Sequence, residues 1–125
     1  MIAEAMVCLA LNIYFEARGE SDLGKRAVAY ATINRTENNS DVCKIIFEPG
    51  QFSWLKAKKP IKDKKAFEAA KKLAKEVLAD TDRVNDPTKG ATYFHNEEVK
   101  PIWSKRFTRT LKVGKHIFYR DPKAR

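Results

Sequence analysis

Apolar residues at Ile2, Met6, Leu9 and Ile13 recur in steps of four, three and four, the spacing of one face of an α-helix. One further step of three lands on Glu16, so the pattern predicts a helix over 2–17 with a carboxylate on its apolar stripe. Gly19 offers a stop, Ser21 an N-cap, and Leu23, Ala27, Tyr30 and Asn34 trace the inward face of a second helix that meets the first near Glu16. Residues 38–62 mix Asn, Pro, Gly and Lys with short apolar pieces such as Ile45-Ile46-Phe47 and read as a structured loop. Asp63 is placed to cap a third helix through Ala79, with Phe67, Ala70, Ala74 and Val77 as its core stripe and its lysines outward. Beyond the polar stretch 80–90, the segments Ala91–Asn96, Phe107–Val113 and His116–Arg120 are short and rich in aromatic or β-branched residues. The last two flank Gly114-Lys115, which predicts a small C-terminal β-hairpin. With no repeat, low-complexity linker or break in composition, residues 1–125 are expected to form a single α+β domain, mainly α.

Composition narrows the class. The 125 residues are 43% hydrophobic and 33% charged, with 5 Gly and 5 Pro, which supplies a core and excludes collagen-like or wholly disordered chains. The longest uncharged run, Ala5 to Phe15, falls short of the roughly 20 residues of a membrane-spanning helix. No secretory signal is legible at the N-terminus, so the chain is expected to be made in the cytoplasm. The net charge of +9 is uneven: residues 56–75 carry 9 basic and 2 acidic side chains, and residues 100–125 carry 9 and 1. Such segments attract polyanions, whether nucleic acid or acidic envelope polymers, or are merely solvated faces. Cys8 and Cys43 are too few for a zinc cluster, so no metal or cofactor is expected; Cys8 reads as a small buried hydrophobe, with a bond to Cys43 left open.

Burying a carboxylate on an apolar face favours its protonated form, and a carboxyl that keeps its proton near neutrality is what glycosidic bond cleavage requires of a general acid. Lysozyme supplies the familiar instance. Glu16 fits that requirement, although periodicity alone favours a partly buried structural ion pair with Arg18 or Arg26.

The stretch Asn12-Ile13-Tyr14-Phe15-Glu16-Ala17-Arg18-Gly19-Glu20, with Gly24 and Ile33-Asn34-Arg35, resembles the opening of the cell wall hydrolase family that includes the spore cortex-lytic enzymes. Cys43 through Ser53 resembles that family's central loop. Asp86-Pro87-Thr88, Gly90 through Asn96, Trp103 and Gly114 through Phe118 resemble its C-terminal half. The blocks follow in order over nearly the whole chain.

The resemblance implies a lysozyme-like, lytic-transglycosylase-like domain that cuts the β-1,4 bond between N-acetylmuramic acid and N-acetylglucosamine in peptidoglycan. Glu16 matches the family's catalytic acid. In the transglycosylase version the same group then takes the proton of the muramoyl C6 hydroxyl, which closes to a 1,6-anhydro product, and no second carboxylate is obligatory. A hydrolytic muramidase needs one, and Glu20 is the candidate, read also as an orienting or capping residue. Gln51, Phe52, Tyr93, Asn96 and Trp103 are expected to bind sugar rings, although Phe52 and Trp103 read equally as core aromatics. Tyr30 and Asn34 are expected to support Glu16 or, equally, to satisfy buried polar backbone, and His95 and His116 read as structural. A lone basic catalytic domain resembles a bacteriophage endolysin, expected to be monomeric and to reach the wall once another protein opens the membrane. The alternative is a non-enzymatic basic module binding the wall or nucleic acid, although no recognised nucleic-acid motif is present.

Overall fold

The computed structural model of the chain describes residues 2–36, 41–49, 52, 54 and 59–122. Helix α1, Ile2–Ala17, forms where the spacing predicts it and buries Leu9 and Ile13 completely. Helix α2, Asp22–Ile33, starts at Ser21, whose hydroxyl accepts from the Gly24 N–H at 3.1 Å. Its buried positions include Gly24, Ala27, Ala29 and Ala31; α2 is covered both by helices and by the sheet, and these small side chains permit close approach. Leu23, expected inward, is 46% exposed: it sits in the first turn, before the helix enters the packed region. A short helix α3, Val42–Ile46, occupies part of the segment read as loop; one turn is too short to show a period. Helix α4, Lys64–Ala79, is capped by Asp63, whose carboxylate accepts from the Ala66 N–H at 3.0 Å.

Strands β1 (Tyr93–Asn96), β2 (Thr108–Val113) and β3 (His116–Arg120) form an antiparallel sheet in the order β1-β3-β2. The expected hairpin is β2–β3; β1 extends it from the other edge, with Phe94 opposite Phe118. A one-turn 3-10 helix, Ile102–Lys105, precedes β2.

Two apolar cores result. The larger gathers α1, α3 and α4 with Trp54 around Leu9, Ile13 and Tyr14. The smaller joins Ala17 and the Ala27, Val28, Ala31 face of α2 to Ala91 and Phe118 of the sheet region. A disulfide between Cys8 and Cys43 ties α1 to α3, which replaces the free buried thiol expected for Cys8. Among the described residues no helix is long and apolar enough to cross a membrane.

Glu20 locks the hairpin to the helices. Its Oε1 accepts from the Lys115 N–H at 3.0 Å and lies 3.5 Å from Nδ1 of the buried His116. Burial pushes the His116 ring below the ordinary histidine range, and Glu20 pulls it the other way. Gly114 stands against this carboxylate with φ +56°, and a Cβ there would come within 2.1 Å of Glu20 Oε1. Gly114→Ala is therefore expected to lower stability by about 1–3 kcal/mol, from left-handed backbone strain plus displacement of Glu20. In a Glu20→Ala background the added cost should shrink to the backbone part, about 1 kcal/mol. A urea-unfolding double-mutant cycle measures the difference.

Candidate active site

Glu16 lies where the two cores meet. Its neighbour in the preceding turn, Ile13, belongs to the helical core, and Ala17 belongs to the core shared with the sheet. Two cavities open at this seam, and Glu16 lines both. One, of about 380 Å³, has a largely aromatic wall of Phe52, Tyr93, Phe94 and Trp103, with Arg35 and Thr32 also on its lining. The other, of about 520 Å³, is lined by Tyr14 and Phe15 and by Arg18, Lys59 and Lys62. A group at the junction of two arms can touch a bond whose two sides occupy different arms.

Desolvation by burial raises the Glu16 carboxyl to about pKa 7. Its place in the last turn of α1, at the negative end of the helix dipole, acts in the same direction. Among the described residues nothing hydrogen-bonds to this carboxyl or pairs with it. The ion pair that competed with the acid role does not form. Arg18 donates to the Tyr14 hydroxyl and lies over its ring at 4.6 Å, while Arg26 faces Asp22 and Glu76 at 3.6 and 3.4 Å.

The remaining sequence candidates divide. Phe52, Tyr93 and Trp103 line the aromatic arm. Tyr93 is stacked on Phe107 with centroids 4.6 Å apart and lies 5.2 Å from Trp103; Phe52 is 6.1 Å from Trp54. The aromatics are thus packed on one side and lie on the cleft at the other. Tyr30, Asn34, Asn96 and Glu20 do not line either cavity. The Tyr30 hydroxyl donates to Asp80 rather than reaching Glu16 and, with the backbone N–H groups of Asn85 and Val84, holds that carboxyl below its usual range. Asn34 donates to Asp86 and to the Ala91 carbonyl, each at 2.9 Å, and accepts from Arg83 at 3.1 Å, so it ties the 80–91 loop to α2. Asn96 accepts from the Glu98 N–H at 2.9 Å within its own turn. Gln51 lies outside the described residues.

Sequence reasoning passed over Thr32, Arg35, Arg18, Lys59 and Lys62 as lining residues. It also left His95 as purely structural. His95 does line the cleft, two residues from Tyr93 along β1, and period-two spacing in the strand was the available signal. Its ring is nonetheless fully engaged: Nδ1 donates to the Asn96 carbonyl at 2.7 Å, and Nε2 is hydrogen-bonded to the Tyr119 hydroxyl at 2.9 Å. An imidazole with both nitrogens engaged in this way is held as part of the cleft wall. Among the described residues no group of His, Cys, Asp and Glu side chains is arranged to hold a metal ion.

The sequence pattern of the Cell Wall Hydrolase family matches residues 19–119. The chain belongs to this family. Glu16 lies just ahead of the matched segment. Among curated family relatives, the spore cortex-lytic enzyme of Halalkalibacterium halodurans is 32% identical over 116 residues, covering 88% of this chain and 33% of that protein. The spore cortex-lytic enzyme of Bacillus cereus is 34% identical over 116 residues, covering 88% and 42%. The chain thus spans between a third and about two fifths of the length of these relatives. The catalytic domain of the germination-specific lytic transglycosylase SleB from Bacillus anthracis superposes with a TM-score of 0.67 at 29% identity, covering 93% of each chain. The cell wall hydrolase fold here is accordingly the lysozyme-like, mainly helical one expected.

A folded-state pKa raised above the ordinary 4.5 means that the folded chain binds the proton more tightly than the unfolded one. The associated stability is complete below the unfolded value and is lost as pH rises through about 7. Glu16→Gln, which removes the charge and keeps the shape, is expected to match the parent near pH 4 and to exceed it near pH 9 by about 2–3 kcal/mol, or about 5–10 °C in Tm. Thermal melts at the two pH values check this.

Proposed function

We propose that the chain degrades peptidoglycan as a lytic transglycosylase, cutting between N-acetylmuramic acid and N-acetylglucosamine. The observation that carries the reading is Glu16, desolvated, without a partner among the described residues, and lining both arms of one cleft. Family membership and the likeness to a lytic transglycosylase catalytic domain support it.

The chemistry follows from the carboxyl's proton. With a pKa of about 7, Glu16 is largely protonated in mildly acidic to neutral solution and can donate to the glycosidic oxygen as the muramoyl C1–O bond breaks. The sugar beyond that oxygen leaves with a free 4-hydroxyl. The resulting carboxylate takes the proton of the muramoyl C6 hydroxyl, O6 closes on C1, and the acid is regenerated. No water is consumed. Among the described residues lining the two cavities Glu16 is the one carboxylate, which favours this route over hydrolysis. Glu20, the candidate second carboxylate, holds the hairpin turn instead. Tyr93, Trp103 and Phe52 are proposed as stacking faces for the sugar rings. A module that only binds polyanions has no use for an unpaired, protonated carboxyl in a cleft.

The chain is proposed to act in the wall as a monomer, in the manner of an endolysin. Basic side chains would hold it to acidic envelope polymers. The Cys8–Cys43 disulfide is of the kind that persists outside the reducing cytoplasm. Purified chain should release soluble muropeptides ending in 1,6-anhydromuramic acid, each lighter by one water than a reducing-end product. Glu16→Gln should lower release by at least about a thousandfold while keeping the fold, and wild-type release should fall as pH passes through about 7. Mass spectrometry of the digest and a pH profile read both; reducing ends alone would assign a muramidase.

A further inference from the structure

The two arms of the cleft differ in chemistry. One is walled by aromatic rings; the other carries Arg18, Lys59 and Lys62. Where the lactyl carboxyl of each muramoyl residue is amide-bonded to a peptide stem, the sugar rings themselves are uncharged and stack on aromatics, so they account for the first arm and leave the cations of the second unexplained. The negative groups attached to a glycan strand are the carboxylates of the peptide stems on its muramoyl residues. We propose that the arm lined by Arg18, Lys59 and Lys62 binds those carboxylates, so that the chain takes stem-bearing strands in preference to bare glycan. This rests on the glycan-cleaving reading above and adds its substrate preference.

The arm is built rather than incidental. Tyr14, 2% exposed, accepts through its hydroxyl from the Lys62 N–H at 3.1 Å and the Asp63 N–H at 2.9 Å, and Arg18 donates to the same oxygen. One buried phenol thus fixes both the backbone that presents Lys62 and the guanidinium of Arg18. Among the described residues no carboxylate lies within ion-pair distance of Arg18, Lys59 or Lys62. The cavity adjoins Glu16, so an anion covalently attached to the strand being cut is delivered there at high effective concentration. A separate wall polymer such as a teichoic acid phosphate has no such tether.

The test measures binding to the Glu16→Gln chain, which cannot turn over. Its ligands are soluble glycan fragments carrying diaminopimelate-type tetrapeptide stems, and the same fragments after an N-acetylmuramoyl-L-alanine amidase has removed the stems, which leaves the lactyl carboxylate of each muramoyl residue but none of the stem carboxylates. Stem-bearing fragments are expected to bind about tenfold tighter at about 50 mM salt, with the preference largely lost at about 0.5 M. The Lys59→Gln/Lys62→Gln double variant, whose replaced side chains are exposed, should bring the preference to about twofold or less. Equal binding of the two fragments overturns the proposal, as does a preference that survives both high salt and the double variant. Binding of teichoic acid fragments that the same substitutions abolish, with no stem preference, also overturns it and assigns the arm to phosphate. Because turnover is not measured, an inactive wild-type chain would sink the transglycosylase reading while leaving the binding result to stand or fall by itself.

Discussion

The site depends on keeping water away from one carboxyl group at a seam between two apolar cores. The helical core ends at Tyr14 and the core shared with the sheet begins at Ala17, so Glu16 is covered from both sides without belonging to either. Filling the seam completely would bury the group beyond reach of a substrate, and opening it would return the carboxyl to its ordinary acidity. The alanines of α2 set the balance: Ala27 and Ala31 let the sheet approach closely, while Ala29 and Tyr30 pack on the helical side. The disulfide between α1 and α3 and the Glu20 clamp on the hairpin hold the two halves that define the seam.

Several polar groups near Glu16 are spent on partners of their own. Tyr14 gathers a guanidinium and two backbone N–H groups, Asn34 makes three hydrogen bonds, and both His95 nitrogens are engaged. The buried Asn12 side chain donates to Thr32 at 2.7 Å, joining α1 to α2 one helical turn before Glu16. A buried polar group without a partner costs free energy, so such groups are normally satisfied. Asn12 Oδ1, Trp54 Nε1 and His116 Nδ1 are also buried without a hydrogen-bond partner, but among the described residues lining the cleft Glu16 is the one carboxyl, and it has no partner there; sites of chemistry are where such costs are retained.

Sequence spacing was enough to place α1, α2 and α4 and to put Glu16 on an apolar stripe, because each depends on residues within a few turns of one another. It failed where partners come from afar. Tyr30 and Asn34 share a helix face that points toward Glu16 in a two-helix picture, yet Asp80, Asp86 and Ala91, some fifty residues on, take their polar ends. Asn96 looked like a ligand for sugar and is used by its own turn. The family-like blocks led to Tyr93 and Trp103, which do line the cleft, but block resemblance does not say which arm of the cleft a residue serves. Lys59 and Lys62 were counted only as part of a basic run, since nothing local tells a solvated lysine from one held against a cavity by a phenol at position 14.

A cationic arm beside an acid that must keep its proton is a conflict, since a positive charge within about 4–6 Å lowers a carboxyl's pKa. Burial governs the Glu16 carboxyl, and no charged side chain moves it, although Arg18 follows it by two residues. The resolution lies in Tyr14, which draws the guanidinium over its own ring and hydroxyl. The ranges of the two effects then separate. Desolvation acts only on the atoms it covers and sets the proton on Glu16, whereas an unpaired cation still attracts anions over a screening length of about 8 Å. Charge can therefore draw in and orient a strand without disturbing the proton that cuts it, provided the cations are anchored at their bases, and an anchor of that kind is what the Tyr14 hydroxyl supplies.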